Sequence, residues 1–270
     1  ALATGFKTNN GMIGEIPNGE SVPSIAEILK KYGFKVGIAV TCRVTHATPA
    51  TFYGHVADRD FEFDLAEQLS KSDYDVIFGG GYAYFLPTSV SGGKRTDGKD
   101  LISDMKKRGY TYINDRAGLD KVNDGKVIGL FAPNHLAPVS NRPSNQPSLD
   151  ELTRKAIELL SKNGDPFFLM VEGSQIDWEA HGNDPYGVWK EVVELNKAVE
   201  VAIDFAKRDP NTLIIVTADH ETGGLGLSTG TYMLDVEKVR NFKLDTDSFL
   251  ANFPISDKNT FVSAVKEYYG

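Results

Sequence analysis

Residues 172–181, with the sequence EGSQIDWEAH, carry carboxylate and imidazole groups at a spacing that suits metal binding. Asp177 and His181 stand four positions apart, so on a helix both side chains lie on one face. Glu172 directly follows the apolar run Phe167–Val171, where a buried strand would end. Because α/β proteins build their sites at the carboxyl ends of strands, this segment is a candidate metal site.

A second apolar run, Leu213–Val216, is followed closely by Asp219 and His220. If both runs are strands of one sheet, their carboxyl ends deliver all these groups to the same edge. Taken alone, Asp177 and His181 could be a helix-terminal carboxylate and a surface histidine. Buried carboxylates are costly unless they are paired or bound to metal, however, so the combined set favours a multinuclear site. Oxygen and nitrogen ligands without sulfur suit Zn²⁺, Mg²⁺ or Mn²⁺.

A hydroxyl and an imidazole follow the predicted strand Lys35–Thr41, in the sequence THATP at residues 45–49. One interpretation is an ordinary strand-to-helix loop capped by a threonine. The other places the Thr48 hydroxyl as a hard oxygen ligand of Mg²⁺, with His46 beside it. The sequence alone leaves both interpretations open.

Arg59 stands between two aspartates, in the sequence VADRD. Such an arginine is usually part of a solvated ion pair, but near a divalent metal its planar guanidinium can clamp a phosphate group. Trp178 directly follows the candidate metal ligand Asp177 in the sequence. We interpret it as a packing residue and not as a chemical group, at a position that would be close to substrate. His55 and His135 have no partner pattern, and both are interpreted as structural or surface residues.

Composition restricts the class of protein. The chain has 270 residues, 41% of them hydrophobic, and no apolar run near the ~18 residues of a membrane span. Its net charge of −8 argues against non-specific nucleic-acid binding, which needs a basic surface. The single cysteine, Cys42, excludes an intrachain disulfide and a thiolate zinc cluster.

Helical and strand patterns alternate along the chain, which predicts parallel βαβ units and a sheet covered by helices on both faces. Predicted strands are 35–41, 74–78, 167–171 and 213–216. Predicted helices are 21–32, 61–70, 149–162, opened by Ser148 and Glu151, and 185–207, opened by Asp184 and Pro185. A last helix is predicted near 259–269.

Three strings resemble those of the alkaline phosphatase family: THATPA at residues 45–50, VEGSQIDW at 171–178 and VTADHETGG at 216–224. The resemblance runs in the family's order from residue 1 to about 226, which we take as a partial catalytic core. Residues 227–270 are a tail without an assigned role. The resemblance implies a parallel-rich α/β sheet sandwiched between helices and truncated at both ends. Segments 1–8, 79–81 and 95–100 also fit the family.

The resemblance implies two Zn²⁺ ions and one Mg²⁺ ion. Asp177 and His181 match ligands of the first zinc, whereas Asp219 and His220 match ligands of the second. The implied reaction is hydrolysis of phosphate monoesters through a phosphoserine intermediate, in which two metals serve an in-line displacement.

The remaining matched positions surround those two ions. Glu172 and Thr48 match ligands of the magnesium. Arg59 matches the arginine that holds the substrate phosphate, where it and the metals neutralise the charge of the transferring group. His46 and Trp178 match two positions that vary within the family and tune its metal preference.

Three groups of the family pattern are missing. The nucleophilic serine belongs to an Asp-Ser-Ala motif just upstream of the segment that matches residues 1–5, and the bridging aspartate belongs to an earlier strand. No histidine follows His220, so the last zinc ligand is missing too. Neither Ser174 nor Ser228 stands in a matching context.

Two interpretations fit these gaps. We expect an internal portion of an ordinary phosphatase that acts on small phosphate monoesters; the alternative is a truncated, non-catalytic module that binds metal or phosphate. A phosphodiesterase or sulfatase of the same superfamily is disfavoured by the combination of Thr48, Glu172 and Arg59. The resemblance implies export to the periplasm or the exterior, is compatible with a homodimer, and involves neither nucleic acid nor a membrane span.

Overall fold

Five parallel strands form the central sheet of the computed structural model, which describes residues 1–224 and 235–270. Their order across the sheet is β3-β4-β2-β1-β5. The strands are β1 (Lys35–Arg43), β2 (Val76–Gly80), β3 (Tyr110–Ile113), β4 (Lys126–Leu130) and β5 (Phe167–Glu172). The sequence-based domain boundary at 226/227 and Ser228 lie outside the described residues.

Helices cover both faces of the sheet, as the sequence predicts. They are α1 (Ile25–Lys31), α2 (Ala47–Ala50), α3 (Glu62–Lys71), α4 (Leu101–Lys107), α5 (Arg116–Lys121), α6 (Leu149–Ser161), α7 (Gln175–His181), α8 (Pro185–Ala206), α9 (Val236–Arg240), α10 (Thr246–Asn252) and α11 (Lys258–Tyr269). Short 3-10 turns occur at Tyr82–Tyr84 and Val139–Asn141. Among these helices, none combines the length and the apolar character needed to cross a bilayer.

Adjacent strand residues point to opposite faces, so each strand contributes to two separate cores. In β2, Ile77 packs in a cluster with residues of α1, α3 and α4. Its neighbour Phe78 packs in a second cluster with residues of α5 and α6. Because β1, β2 and β4 are buried on both faces, they read in the sequence as continuous apolar runs rather than as alternating patterns.

Capping residues fix the starts of the long helices. Ser148 and Glu151 form a capping box at α6, and Asp184 accepts hydrogen bonds from two backbone amides at the start of α8, where Pro185 is the first residue. Helix α1 starts later than its apolar pattern predicts, because Ser24 caps it in a second capping box. These local signals were sufficient to predict the helices from the sequence.

Two strands and two helices between residues 100 and 130 were not predicted from the sequence. Strands β3 and β4 have four and five residues, and helices α4 and α5 have seven and six. Elements this short show at most two turns of periodicity, so their type follows from tertiary packing.

The prediction of a buried strand at Leu213–Val216 is wrong for this structure. The segment has no strand structure, and Leu213, Ile215 and Val216 are 82%, 76% and 62% exposed. A strand needs a neighbour that accepts its backbone hydrogen bonds, and no described residue pairs with this run. Strand β5 pairs on one side only, with β1, so among the described residues its outer edge is unpaired.

An unpaired strand edge beside exposed apolar side chains favours association between chains. We therefore predict that the chain self-associates in solution and that Ile215→Lys shifts it towards the monomer, because a charge is costly to bury in an apolar interface. Sedimentation velocity over a range of concentrations measures the effect. The matched control is Leu2→Lys, which places the same charge at another apolar side chain that is 69% exposed. A monomeric parent chain, or an equal effect of both variants, would contradict the prediction.

Candidate metal and phosphate site

The carboxyl ends of the neighbouring strands β1 and β5 position most of the candidate site. Their register pairs Val40 with Glu172. The chain leaves β1 towards α2, which contains Thr48, and leaves β5 towards α7, which contains Asp177 and His181. Parallel pairing therefore brings together two segments that are more than a hundred residues apart in the sequence.

Glu172, the last residue of β5, lies near Thr48, Cys42 and Ser174. The Cys42 thiol lies 3.5 Å from its Oε2 atom, and the Thr48 hydroxyl is close enough to lower its pKa. Burial raises the pKa of Glu172 to about 7, and the nearby carboxylate of Asp219 adds to the rise, while hydrogen bonds with Ser174, Cys42 and Thr48 oppose it. A carboxylate and a hydroxyl, both half-buried, are oxygen donors that a hard cation accepts.

Two carboxylate–histidine pairs, Asp177 with His181 and Asp219 with His220, are joined through Thr222. The Oγ1 atom of Thr222 donates to Asp177 Oδ1 over 2.8 Å and lies 3.1 Å from His220 Nδ1. Within the pairs, His181 Nε2 is 3.7 Å from Asp177 Oδ1, and His220 Nε2 is 3.2 Å from Asp219 Oδ2. The segment after Val216 thus reaches the site although it is not preceded by a strand.

Gly223 allows that segment to lie directly against helix α7. Its φ angle is +74°, and an added Cβ atom would lie 2.0 Å from the backbone oxygen of Ala180. No side chain can be accommodated at that distance. The next residue, Gly224, has a similar φ angle of +71° but open space around its Cα atom.

Arg59 and Trp178 meet at His46. The Nη2 atom of Arg59 is 3.2 Å from His46 Nε2, and the Trp178 ring packs edge-on against the imidazole at 5.3 Å between centroids. Burial lowers the pKa of His46 to about 4, with further lowering by Arg43 and Arg59 and an opposing effect of Asp177. His46 is therefore neutral at pH 7, and its buried Nδ1 atom has no partner among the described residues.

Sequence reasoning missed two residues beside the site, His135 and Arg43. The His135 ring packs on Trp178 at 4.1 Å between centroids, and its Nε2 atom is 2.6 Å from Arg43 Nη1. Burial lowers the pKa of His135 to about 3, with Arg43 contributing. His135 follows β4 closely, so the signal that could have found it was its place after the apolar run of β4, which was not assigned as a strand. His55, by contrast, bonds Glu27 and the backbone of Gly14, in agreement with a structural role.

Ser174 has a structural role in this arrangement. Its Oγ accepts a hydrogen bond from the Cys42 amide over 3.1 Å, and its own amide donates to Thr41 Oγ1 over 2.9 Å. The side chain is buried and ties the end of β5 to β1. Ser174 is thus engaged in holding the strand ends together.

The donor types fit divalent metals, but the number of donors for each ion is small. Catalytic zinc takes three protein ligands as a rule. Each carboxylate–histidine pair provides two, and within residues 1–224 and 235–270 no group of three or more His, Cys, Asp or Glu side chains is arranged to hold an ion. The unpartnered Nδ1 of His46 and the buried carboxylate of Glu172 are polar atoms that a cation nearby would satisfy.

A sequence model of the alkaline phosphatase family matches residues 1–267 of the chain. The chain therefore belongs to the alkaline phosphatase family. The match includes the helices α9–α11, so it extends beyond the resemblance seen in the sequence motifs, which ended near residue 226.

Individual relatives agree with this assignment. Alkaline phosphatase 4 of Bacillus subtilis is 43% identical over 83% of this chain and 48% of its own length. A cold-active alkaline phosphatase of Shewanella sp. superposes with a TM-score of 0.85, at 33% identity, over 98% of this chain and 71% of that protein. A substituted alkaline phosphatase of the Antarctic bacterium TAB5, 36% identical, has a TM-score of 0.73 over 83% of this chain and 62% of that one; it has Mg bound in its M3 site. The chain spans about half the length of the curated relatives it matches.

We predict that Gly223→Ala weakens the binding of a divalent metal at this site about tenfold, because the added methyl group forces residues 219–222 away from α7. Tenfold in affinity corresponds to about 1.4 kcal/mol. Competition with a chromophoric chelator measures the affinity. Gly224→Ala is the matched control, since it imposes the same left-handed backbone strain without a clash. An equal loss in both variants would assign the effect to strain instead of to the contact with α7.

Proposed function

We propose that the chain is the metal- and phosphate-binding part of a phosphate monoester hydrolase of the alkaline phosphatase type. The observation that carries this proposal is the convergence of Glu172, Thr48, Asp177 and the segment 219–222 at one edge of the sheet, with Arg59 beside them. Family membership supports the reaction class. The fold alone would not, since one fold hosts many activities.

The proposed metals are two Zn²⁺ ions and one Mg²⁺ ion. Asp177 and His181 would hold one zinc, and Asp219 and His220 the other; nitrogen and oxygen donors of this kind suit zinc. When bound, the zinc ions supply Lewis-acid stabilisation of the attacking and leaving oxygens of a displacement at phosphorus.

Magnesium would take the oxygen donors. The Glu172 carboxylate and the Thr48 hydroxyl lie near each other, and a hard cation with several oxygen ligands suits this pair. The Mg found in the TAB5 relative supports the presence of such an ion in this family. His46 and Trp178, which pack against each other, would tune the metal preference from beside it.

The residues of this chain have a direct part in holding the phosphate. Arg59 is exposed, anchored through its backbone amide to Gly11, and its guanidinium is oriented by the neutral imidazole of His46. A planar guanidinium binds two phosphate oxygens at once. Because His46 is neutral, it accepts a hydrogen bond from Arg59 instead of repelling it.

The nucleophile is proposed to come from a segment with the Asp-Ser-Ala motif of the family, which these 270 residues do not contain. Ser174 is held by Cys42 and Thr41 and is not a substitute. The alternative function is a non-catalytic module that binds metal or phosphate. One observation favours it: the described residues present at most two strong ligands for each zinc.

Small phosphate monoesters are the proposed substrates, and a homodimer is the proposed assembly. Export to the periplasm or the exterior is proposed from the family resemblance. The acidic net charge of −8 gives no support to nucleic acid as a partner.

Hydrolysis of an aryl phosphate tests the function. The protein tested joins this chain to the Asp-Ser-Ala and final-histidine segments of the family, and we expect it to show measurable turnover when zinc and magnesium are supplied. Arg59→Ala should lower the turnover at least about a hundredfold, since a charge-assisted phosphate contact contributes about 3 kcal/mol. Arg208→Ala, at an exposed arginine after α8, is the control. Turnover that survives Arg59→Ala would remove Arg59 from the site. No turnover in the joined form would leave the non-catalytic module.

Zinc content tests the metal assignment separately from turnover. We predict that Asp177→Ala lowers the bound zinc by about one equivalent in any form that binds it, because a catalytic zinc site with one ligand removed loses most of its affinity. Atomic absorption after dialysis measures the content. Asp204→Ala removes a carboxylate from the exposed face of α8 and should leave the content unchanged. Unchanged stoichiometry in Asp177→Ala would exclude Asp177 as a ligand.

A further inference from the structure

Three rings pack against one another beside the candidate phosphate site, those of His46, Trp178 and His135. The ring centroids of His46 and Trp178 are 5.3 Å apart, and those of His135 and Trp178 are 4.1 Å apart. The two imidazole rings are edge-on to each other at 5.8 Å. Rings at these distances and angles attract one another. Each of the three rings is therefore in contact with the other two.

This packing determines how the His46 ring is turned. Rotation about the last side-chain bond of a histidine is soft, and a hydrogen bond at one ring nitrogen usually fixes the direction of the other. The Nδ1 atom of His46 has no hydrogen-bond partner among the described residues, whereas Nε2 lies 3.2 Å from Arg59 Nη2. The direction of Nε2, and with it the guanidinium of Arg59, therefore depends on the packing of Trp178 and His135.

His135 is fixed from outside the cluster of rings. The backbone amide of Arg43 is 3.2 Å from its Nδ1 atom, and Arg43 Nη1 is 2.6 Å from its Nε2 atom. The ring is neutral, because burial lowers the pKa of His135 to about 3, so one of its nitrogens accepts a hydrogen bond from Arg43. Arg43 is fixed in turn by Glu62, whose Oε2 atom lies 2.5 Å from Arg43 Nε and also accepts from Thr45 Oγ1 over 2.7 Å.

The loop after β4, which contains His135, is held by its backbone as well. The Leu136 amide donates to the Thr41 carbonyl of β1 over 3.0 Å, and Gln175 Nε2 of α7 donates to the Leu136 carbonyl over 2.5 Å. The same loop lies directly against the end of β2, where a Cβ atom added to Gly80 would be 1.9 Å from a backbone oxygen of the loop. The place of His135 is thus set by the sheet and α7, and not by the rings that it contacts.

We propose that His135 is a positioning residue for phosphate binding, which holds the Trp178 and His46 rings so that His46 keeps the guanidinium of Arg59 in the plane that binds two phosphate oxygens. This role rests on the function proposed above, in which Arg59 binds the phosphate. A planar guanidinium forms two parallel hydrogen bonds with a phosphate in one orientation only. His135 does not contact the phosphate in this role, since it acts through the two other rings.

Calorimetric titration of the full 270-residue chain with inorganic phosphate tests the proposal. Zinc and magnesium are supplied first, and unbound metal is removed by dialysis. We expect His135→Ala to weaken phosphate binding about tenfold, because a misaligned guanidinium loses one of its two charge-assisted hydrogen bonds. His135→Phe retains a ring against Trp178 and should weaken the binding less than about threefold.

The same substitution in an Arg59→Lys background separates positioning from a general loss of structure. A lysine ammonium is a point charge without a binding plane, so His135→Ala should change the phosphate affinity of this background less than about twofold. The matched control is His55→Ala, which removes another half-buried histidine, bonded to Glu27 and the Gly14 carbonyl, and should alter the affinity less than about twofold. Circular dichroism and thermal melting verify that each variant is folded.

Four results would overturn the role of His135 while phosphate binding by the parent chain persists. They are an unchanged affinity in His135→Ala, an equal loss in His55→Ala, an equal loss in the Arg59→Lys background, and a loss in His135→Phe as large as that in His135→Ala. An absence of phosphate binding in the metal-loaded parent chain is a different result. It would overturn the proposed function, and the positioning role with it.

Discussion

The parallel pairing of β1 with β5 is the constraint on which the rest of the structure depends. Through the pairing of Val40 with Glu172, it places the loop with Thr48 and the helix with Asp177 at one edge of the sheet. Ser174 ties the two strand ends by bonding Thr41 and Cys42. A shift of this register by two residues would displace Glu172 by nearly 7 Å along β1, since each strand residue rises about 3.3 Å. Thr48, Glu172 and Asp177 therefore depend on the sheet for their relative positions, whereas Asp219 and His220 reach them through the contacts of Thr222 and Gly223 with α7.

Much of this arrangement could be predicted from the sequence, because the relevant signals are local. Strand β1 reads as an apolar run, α6 and α8 have capping signals, and Asp177 and His181 are related by the helical period. The site follows from one further rule, that parallel strands deliver their carboxyl ends to one edge. The contact through Thr222 and the approach of Gly223 to α7 could not be predicted from the spacing of residues in the sequence. Both are made between segments whose distance is defined only in the folded chain.

The wrong prediction of a strand at Leu213–Val216 and the unpredicted position of His135 beside the site have the same physical origin. At Leu213–Val216 the composition favours a strand, but a strand exists only where another backbone accepts its hydrogen bonds, and no such partner occurs among the described residues. His135 was interpreted as a structural or surface residue, and its contacts with Arg43 and Trp178 agree with a structural role. Its place beside the site was not predicted, because strand β4, which precedes it, was not assigned from the sequence. In both cases the residue types within the segment were interpreted correctly, but the segment that lies next to it in the fold was not known. Neighbours are a tertiary property, and periodicity within one segment contains no information about them.

Burial and neighbouring charge keep the imidazole of His46 neutral, and this orients Arg59. His46 lies near Arg43 and Arg59, and burial together with both guanidinium groups disfavours its charged form, so its pKa is lowered. A protonated imidazole there would repel Arg59, whereas the neutral ring accepts a hydrogen bond from it. The arginine is thus oriented by one uncharged neighbour, and its exposed guanidinium keeps further donors for a phosphate group.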